Sequence, residues 1–245
     1  MSPSEVTGIV LGGGRSSRFG GDKLAVEVGG QPLLWRAVRS VAQVADEIVV
    51  VISPTGVEPE LPGDLRSAVR FARDALAGRG PLAGLAAGLA VVSRPLALLA
   101  AGDQPFLRPE VLAALVAELD REPGAPEADV AVLEDGDRGG RAAAGRARPP
   151  PPRLWPFPAA LRVATVREAA WIALRGSDRR LFSLFGSLRV VRVAEARWRA
   201  LDPDAESLRD IDTARDLGPL RHLRPSRPRS ANLDPTAIRE DVEPQ

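Results

Sequence analysis

The run Leu11-Gly12-Gly13-Gly14-Arg15-Ser16-Ser17-Arg18-Phe19-Gly20-Gly21-Asp22-Lys23 gathers the residue types that phosphate chemistry uses. Successive glycines after a strand leave backbone N–H groups unhindered, so that they can surround anionic oxygens. Arg18 and Lys23 add positive charge on flexible stems. Lys23 is the only lysine among the 33 lysines and arginines of the chain. A compact ammonium suits a crowded phosphate site that a planar guanidinium does not fit, although a coding bias toward arginine would leave the same trace. A triple glycine alone more often marks a flexible turn. With strand, serines, arginine and lysine in one run, anion binding is the better reading.

Three further segments carry carboxylates. Leu98–Ala101 is an apolar run that ends in Gly102-Asp103-Gln104-Pro105-Phe106-Leu107. There Asp103 can hold Mg2+, a hard cation that takes one or two carboxylates together with phosphate oxygens. As a turn or cap aspartate before Pro109, it would serve structure instead. Asp74 opens a glycine-rich connection through Gly80-Pro81-Leu82-Ala83-Gly84 and offers acceptors to a base or ribose. Asp210 and Asp212 flank Ile211 and share a face if the segment is extended. A helix cap is an equally good reading of that pair.

Other chemistries are excluded by the letters. A P-loop needs Gly-Lys-Ser/Thr, whereas Lys23 lies between Asp22 and Leu24. A dinucleotide fingerprint needs glycine where Ser17 stands. The absence of cysteine rules out disulfides and thiolate chemistry, and the one histidine, His222, falls in a proline-rich C-terminal stretch. A net charge of +1 supplies no field for nucleic acid or an anionic membrane. With no leader-like N-terminus and no apolar run near 20 residues, the sequence predicts a cytoplasmic protein with no membrane span.

Positioning these residues calls for strands alternating with helices. Apolar runs predict strands at Val6–Leu11, Glu47–Ile52, Val69–Arg73, Leu96–Ala101, Asp129–Leu133 and Leu188–Val193. Helices are predicted from Gln31-Pro32 onward and at Pro81–Val92, Pro109–Glu122, Thr165–Leu174 and Asp178–Phe185. The expected architecture is α/β, a Rossmann-like three-layer α/β/α sandwich with a mainly parallel sheet, whose loops at the carboxyl ends of the strands carry the motifs. Arg138–Pro158 has neither period and reads as a loop or excursion. One domain over residues 1–218 and an unpatterned tail over 219–245 are expected.

In order, the four segments resemble the molybdenum cofactor guanylyltransferases. The first loop is similar to their Leu-x-Gly-Gly-x-Ser-x-Arg-(Met/Phe)-Gly-x-Asp-Lys signature, Gly80–Gly84 to Gly-Pro-Leu-Ala-Gly, and Asp103–Phe106 to Asp-x-Pro-Phe. The resemblance implies transfer of GMP from GTP to the phosphate of molybdenum-molybdopterin, with release of pyrophosphate and formation of the guanine dinucleotide cofactor. It implies Leu11, Gly12, Gly13, Gly14, Lys23 and Asp74 around GTP, and Arg18, Lys23 and Asp103 in catalysis, with Asp103 holding Mg2+. Ser53 falls just beyond the second strand, where relatives tend to place asparagine. Asp210 and Asp212 stand in place of the asparagines of Asn-x-Asn-Thr-Pro. Cofactor-inserting proteins or molybdoenzyme chaperones are the implied transient partners. The Gly102–Pro105 wording is also similar to cytidylyltransferases of the same pathway. A relative using CTP or a sugar-phosphate acceptor, and a nucleotide-binding chain without turnover, are the alternatives.

Overall fold

A computed structural model describes residues 5–13, 23–74, 80–119, 127–136, 153–178, 180–213 and 215–217. Its strands are β1 (Val6–Leu11), β2 (Glu27–Val28), β3 (Gln31–Pro32), β4 (Glu47–Ile52), β5 (Val69–Arg73), β6 (Leu96–Ala101), β7 (Val130–Asp135), β8 (Arg153–Arg162) and β9 (Val190–Val193). The helices are α1 (Leu33–Val41), α2 (Pro81–Val91), α3 (Pro109–Leu119), α4 (Val163–Arg175), α5 (Leu181–Gly186) and α6 (Glu195–Leu201).

Seven strands form one sheet in the order β5-β4-β1-β6-β8-β7-β9. Antiparallel β8 lies between β6 and β7, and the other pairings are parallel. Apolar side chains alternate between two cores, as a sheet covered on both faces requires. Val10, Ile48 and Val50 pack on one face with Leu34 and Val38 of α1, Leu112 and Leu115 of α3 and Trp198 of α6. Ile9, Val49 and Val51 pack on the other with Leu82 and Leu85 of α2, Val166 of α4 and Leu184 of α5. The expected three-layer α/β/α sandwich is therefore present. Helix α2 comes unusually close to the sheet through Gly88, where an added Cβ would lie 2.7 Å from Ile9 Cγ2.

Four strands, β1, β4, β5 and β6, have the expected ends, because each is a continuous apolar or alternating run between turn residues. Several expectations need correction, the bounds of β7 and β9 among them, which shift by one or two residues. Gln31-Pro32 does not open the first helix but pairs with Glu27–Val28, and the helix starts at Leu33. Helix α4 begins at Val163 and α5 at Leu181, and α6 was not anticipated, because seven residues hold too few turns to reveal a period. Most consequentially, Arg153–Pro158 belongs to a strand rather than to a loop. Its register with β7 jumps from Val132↔Ala159 to Leu133↔Trp155, so residues 156–158 leave the ladder. The prolines at 156 and 158 cannot donate to a ladder, and the irregularity removes that demand.

Candidate active site

Strands β1 and β6 run parallel and end level, Leu11 opposite Ala101. From β1 the sheet continues through β4 and β5 on one side and through β6 on the other, and ligands in open α/β sheets lie in the crevice at such a reversal. A cavity of about 500 Å3 opens there. Gly12 and Gly13 line it from the end of β1, Asp103 and Gln104 from the turn after β6, and Gly80 and Pro81 from the start of α2.

Local hydrogen bonds explain why these groups converge. Gly12 N donates to Val51 O (2.8 Å) and Gly102 N to Leu11 O (3.0 Å), so both loops leave the sheet as continuations of it. Gly80 takes φ 79° and ψ −171°, a conformation confined almost wholly to glycine, and turns the chain into α2 with Pro81 at its first position. The amino end of α2, with its partial positive charge, therefore lies at the cavity.

The carboxyl-terminal carboxylates come in through backbone pairing. Ile211 N donates to Asp103 O (3.1 Å), and the Ile211 side chain is buried with Val28, Leu33 and Leu217. Sinking Ile211 turns both of its neighbours, Asp210 and Asp212, to the cavity. Asp216 Oδ2 accepts from the backbone N of Asp212 (3.1 Å) and Thr213 (2.7 Å), which fixes the end of the segment. Gln104 is buried and ties the parts together: its amide donates to Ser207 O (3.3 Å) and accepts from Ala101 N (3.3 Å). Arg36 on α1 donates to Pro105 O (3.3 Å) and Val28 O (3.3 Å) and lies over the Phe106 ring, which anchors the turn from the opposite side.

Lys23 Nζ donates to Asp103 Oδ2 (2.9 Å) and to Asp212 Oδ1 (2.8 Å). Burial acts to lower its pKa, but the hydrogen bonds and charges of Asp212 and Asp103 outweigh burial and hold the ammonium above the ordinary lysine value. Asp210 is raised above the ordinary carboxylate value, first by burial and then by the charge of Asp212. Three carboxylates and one ammonium line the cavity among the described residues. Such a site binds a polyphosphate only if further positive charge comes with it.

The structure thus gathers Leu11, Gly12, Gly13, Lys23, Asp103, Asp210 and Asp212. Ser53 lies instead on a neighbouring cavity of about 1090 Å3, which shares Gly12, Gly13 and Leu24 with the first. Asp74 lines neither, although its backbone N donates to Ile52 O (2.9 Å) at the same rim. Gly14 and Arg18 lie outside the described residues. Sequence reasoning missed Phe157, which lines the cavity from the irregularity in β8. The available signal was the apolar run Leu154, Trp155, Phe157 inside the proline-rich stretch.

The family model of the MobA-like NTP transferase domain matches residues 8–209. The chain belongs to that family. A probable molybdenum cofactor guanylyltransferase of Natronomonas pharaonis is 32% identical over 73% of this chain and 79% of its own length. The solved molybdopterin-guanine dinucleotide biosynthesis protein A of Archaeoglobus fulgidus superposes with a TM-score of 0.65 at 22% identity, over 88% of this chain and 96% of that one. The 2-C-methyl-D-erythritol 4-phosphate cytidylyltransferase of Thermus thermophilus has the same fold, with a TM-score of 0.61 at 21% identity over 87% of this chain and 96% of that one. The fold is therefore common to nucleotidyltransferases that differ in base and acceptor. Family membership makes this chain a nucleotidyltransferase. Among the described residues, no helix is long and apolar enough to cross a membrane.

Proposed function

We propose that the chain transfers GMP from GTP to the phosphate of molybdenum-loaded molybdopterin, releasing pyrophosphate and forming the guanine dinucleotide cofactor. The observation that carries this reading is the convergence of Gly12, Gly13, Lys23, the α2 terminus and Asp103 on one cavity at the β1/β6 crevice. An acceptor phosphate is ionised near neutral pH, so the reaction needs alignment and charge neutralisation rather than a general base.

The donors fit Mg2+. Asp103 and Asp212 already share one cation, the Lys23 ammonium, and both present hard carboxylate oxygens. Among the described residues no three acidic or imidazole side chains converge on one point, so an ion here would complete its shell with phosphate oxygens and water, the usual habit of Mg2+. When bound through Asp103, the ion would polarise the phosphate under attack and draw off developing charge. Lys23 and the backbone N–H of Gly13 hold the triphosphate, with Leu11 and Gly12 lining the same wall. Arg18 and Gly14 contribute from the remainder of the loop, Ser53 and Asp74 from the base and ribose side, and Asp210 and Asp212 from the acceptor side. Residues 1–218 form the catalytic unit, in the cytoplasm, and the loaded product passes to cofactor-inserting proteins or molybdoenzyme chaperones.

The Gly102–Pro105 wording favours one second reading, a relative that uses CTP. Separate measurement of GTP binding and of Mg2+-dependent pyrophosphate release tests the residue roles. Lys23→Ala removes charge from the ground and transition states alike, so it should weaken binding and turnover together. Asp103→Asn should keep most GTP affinity and lose turnover by about 100-fold or more. Near-normal turnover by Asp103→Asn removes the metal role of that residue.

A further inference from the structure

Asp202 has no exposed surface and lines neither cavity. Both of its carboxylate oxygens are taken up by one short turn: Oδ1 accepts from Glu206 N (3.1 Å) and Oδ2 from Ser207 N (2.7 Å), with Arg108 Nε 3.8 Å from Oδ1. Its own backbone N donates to Trp198 O (2.9 Å) in α6, and the buried Trp198 donates Nε1–H to Glu134 O (2.8 Å) on β7. The carboxylate is thus fixed to the sheet through α6, and it holds the amino end of the 3-10 turn Glu206–Leu208. Ala205 enters that turn at φ 55°, a left-handed conformation that a residue with a side chain keeps only where its surroundings impose it. A buried carboxylate is costly, and the best-attested reason to keep one is that it fixes a single arrangement.

The arrangement fixed here joins two parts of the site. Ser207, likewise without exposed surface, accepts at its backbone O from the Gln104 amide (3.3 Å) and at its Oγ from Arg108 N (3.0 Å). Gln104 and Arg108 bracket the turn that Asp103 opens, and the chain beyond Ser207 runs on into Asp210, Ile211 and Asp212. The Arg108 guanidinium adds a further tie to Glu206 Oε2 (2.7 Å). Resting on the reading of the cavity as a nucleotidyl-transfer site, we propose that Asp202 is a positioning residue for that reaction: by orienting Ser207 it sets the spacing between the Asp103 turn and the Asp210–Asp212 segment without touching substrate. The glycine wall is set elsewhere, by Gly12 N on Val51 O (2.8 Å) and by the backbone at Gly80. A disturbance at Asp202 therefore reaches the alignment of the reacting groups before it reaches nucleotide affinity, and a displacement of about 1 Å can cost about 100-fold in rate.

Asp202→Asn keeps the shape and turns one oxygen into an NH2 that faces a backbone N–H instead of accepting from it. Steady-state transfer from GTP to molybdenum-loaded molybdopterin and equilibrium GTP binding, both on the full chain below its thermal midpoint, test the proposal. Turnover should fall at least about tenfold, within the range that misplacement of reacting groups costs, while the dissociation constant for GTP stays at its wild-type value. A folded variant with wild-type turnover, or one that loses turnover and GTP affinity in equal proportion, overturns the proposal, since a part in stability alone predicts the first and general loosening the second. If Asp202→Asn does not fold, Ser207→Ala, which removes only the oxygen that Arg108 N bonds, decides the matter: lower turnover with unchanged GTP affinity supports the proposal, and unchanged turnover overturns it. Absence of transfer from GTP by the wild-type protein would instead remove the guanylyl reading, and the same comparison with CTP would then judge Asp202.

Discussion

At the residue scale the site is defined by charge in a confined space. Asp210 illustrates the cost of assembling it. Burial and the neighbouring Asp212 carboxylate raise its pKa above the ordinary value. A group raised on folding contributes stability below its unfolded pKa of about 4, and that contribution is lost as pH rises through the folded value. At neutral pH the ionised Asp210 therefore opposes folding of the ligand-free protein. Asp210→Asn should raise the thermal midpoint at pH 7, with a gain that shrinks as pH falls toward 4; scanning calorimetry across that range checks it, and a lower midpoint at pH 7 would show that the carboxylate has an unrecognised stabilising partner. The letters announced Lys23 and Asp103 because their neighbours, glycines before one and an apolar strand before the other, are themselves informative. They could not announce that Lys23 bonds Asp103 and Asp212 together, since pairings across 80 and 189 positions depend on the sheet. For the same reason Ser53 read as part of one site, yet it faces the adjoining cavity.

At the scale of elements, legibility followed continuity. β1, β4, β5 and β6 were readable to the residue and β7 and β9 to within two residues at each end, whereas β8 was hidden by its prolines and by a register jump that only the partner strand reveals. That irregularity brings Phe157 to the cavity, beside Gln104, which sits between β6 and the 206–208 turn. Gln104→Leu removes a buried amide that bridges Ala101 and Ser207. It should cost about 2 kcal/mol, the scale of leaving buried backbone groups unpaired, and should lower turnover more than GTP affinity, because it loosens Asp103 from the Asp210–Asp212 segment. Urea unfolding and steady-state kinetics measure the two effects. Gly80 tests the other rim. Among the described residues nothing lies within 4 Å of a Cβ built there, so Gly80→Ala carries the backbone penalty without a clash against them. A loss of about 1–3 kcal/mol is expected from the disfavoured conformation alone, with weaker GTP binding as the amino end of α2 shifts; unchanged urea stability would mean that the local backbone relaxes freely.

For the whole molecule, the alternation of strand and helix made the three layers readable. The proline-rich stretch beyond Leu217 has no apolar period to bury. Truncation after Leu220 should leave thermal midpoint and GTP affinity unchanged, and a large drop in midpoint would show that the removed segment docks on the domain. Fold alone does not choose the base, since the same architecture serves a cytidylyltransferase. Incubation of the full chain with molybdenum-loaded molybdopterin, Mg2+ and either α-labelled GTP or α-labelled CTP, followed by separation of the labelled dinucleotide, makes that choice directly. Label from GTP should enter the dinucleotide cofactor with one pyrophosphate released per transfer, and label from CTP should enter far more slowly. Equal or faster incorporation from CTP, or none from GTP, contradicts guanylyl transfer.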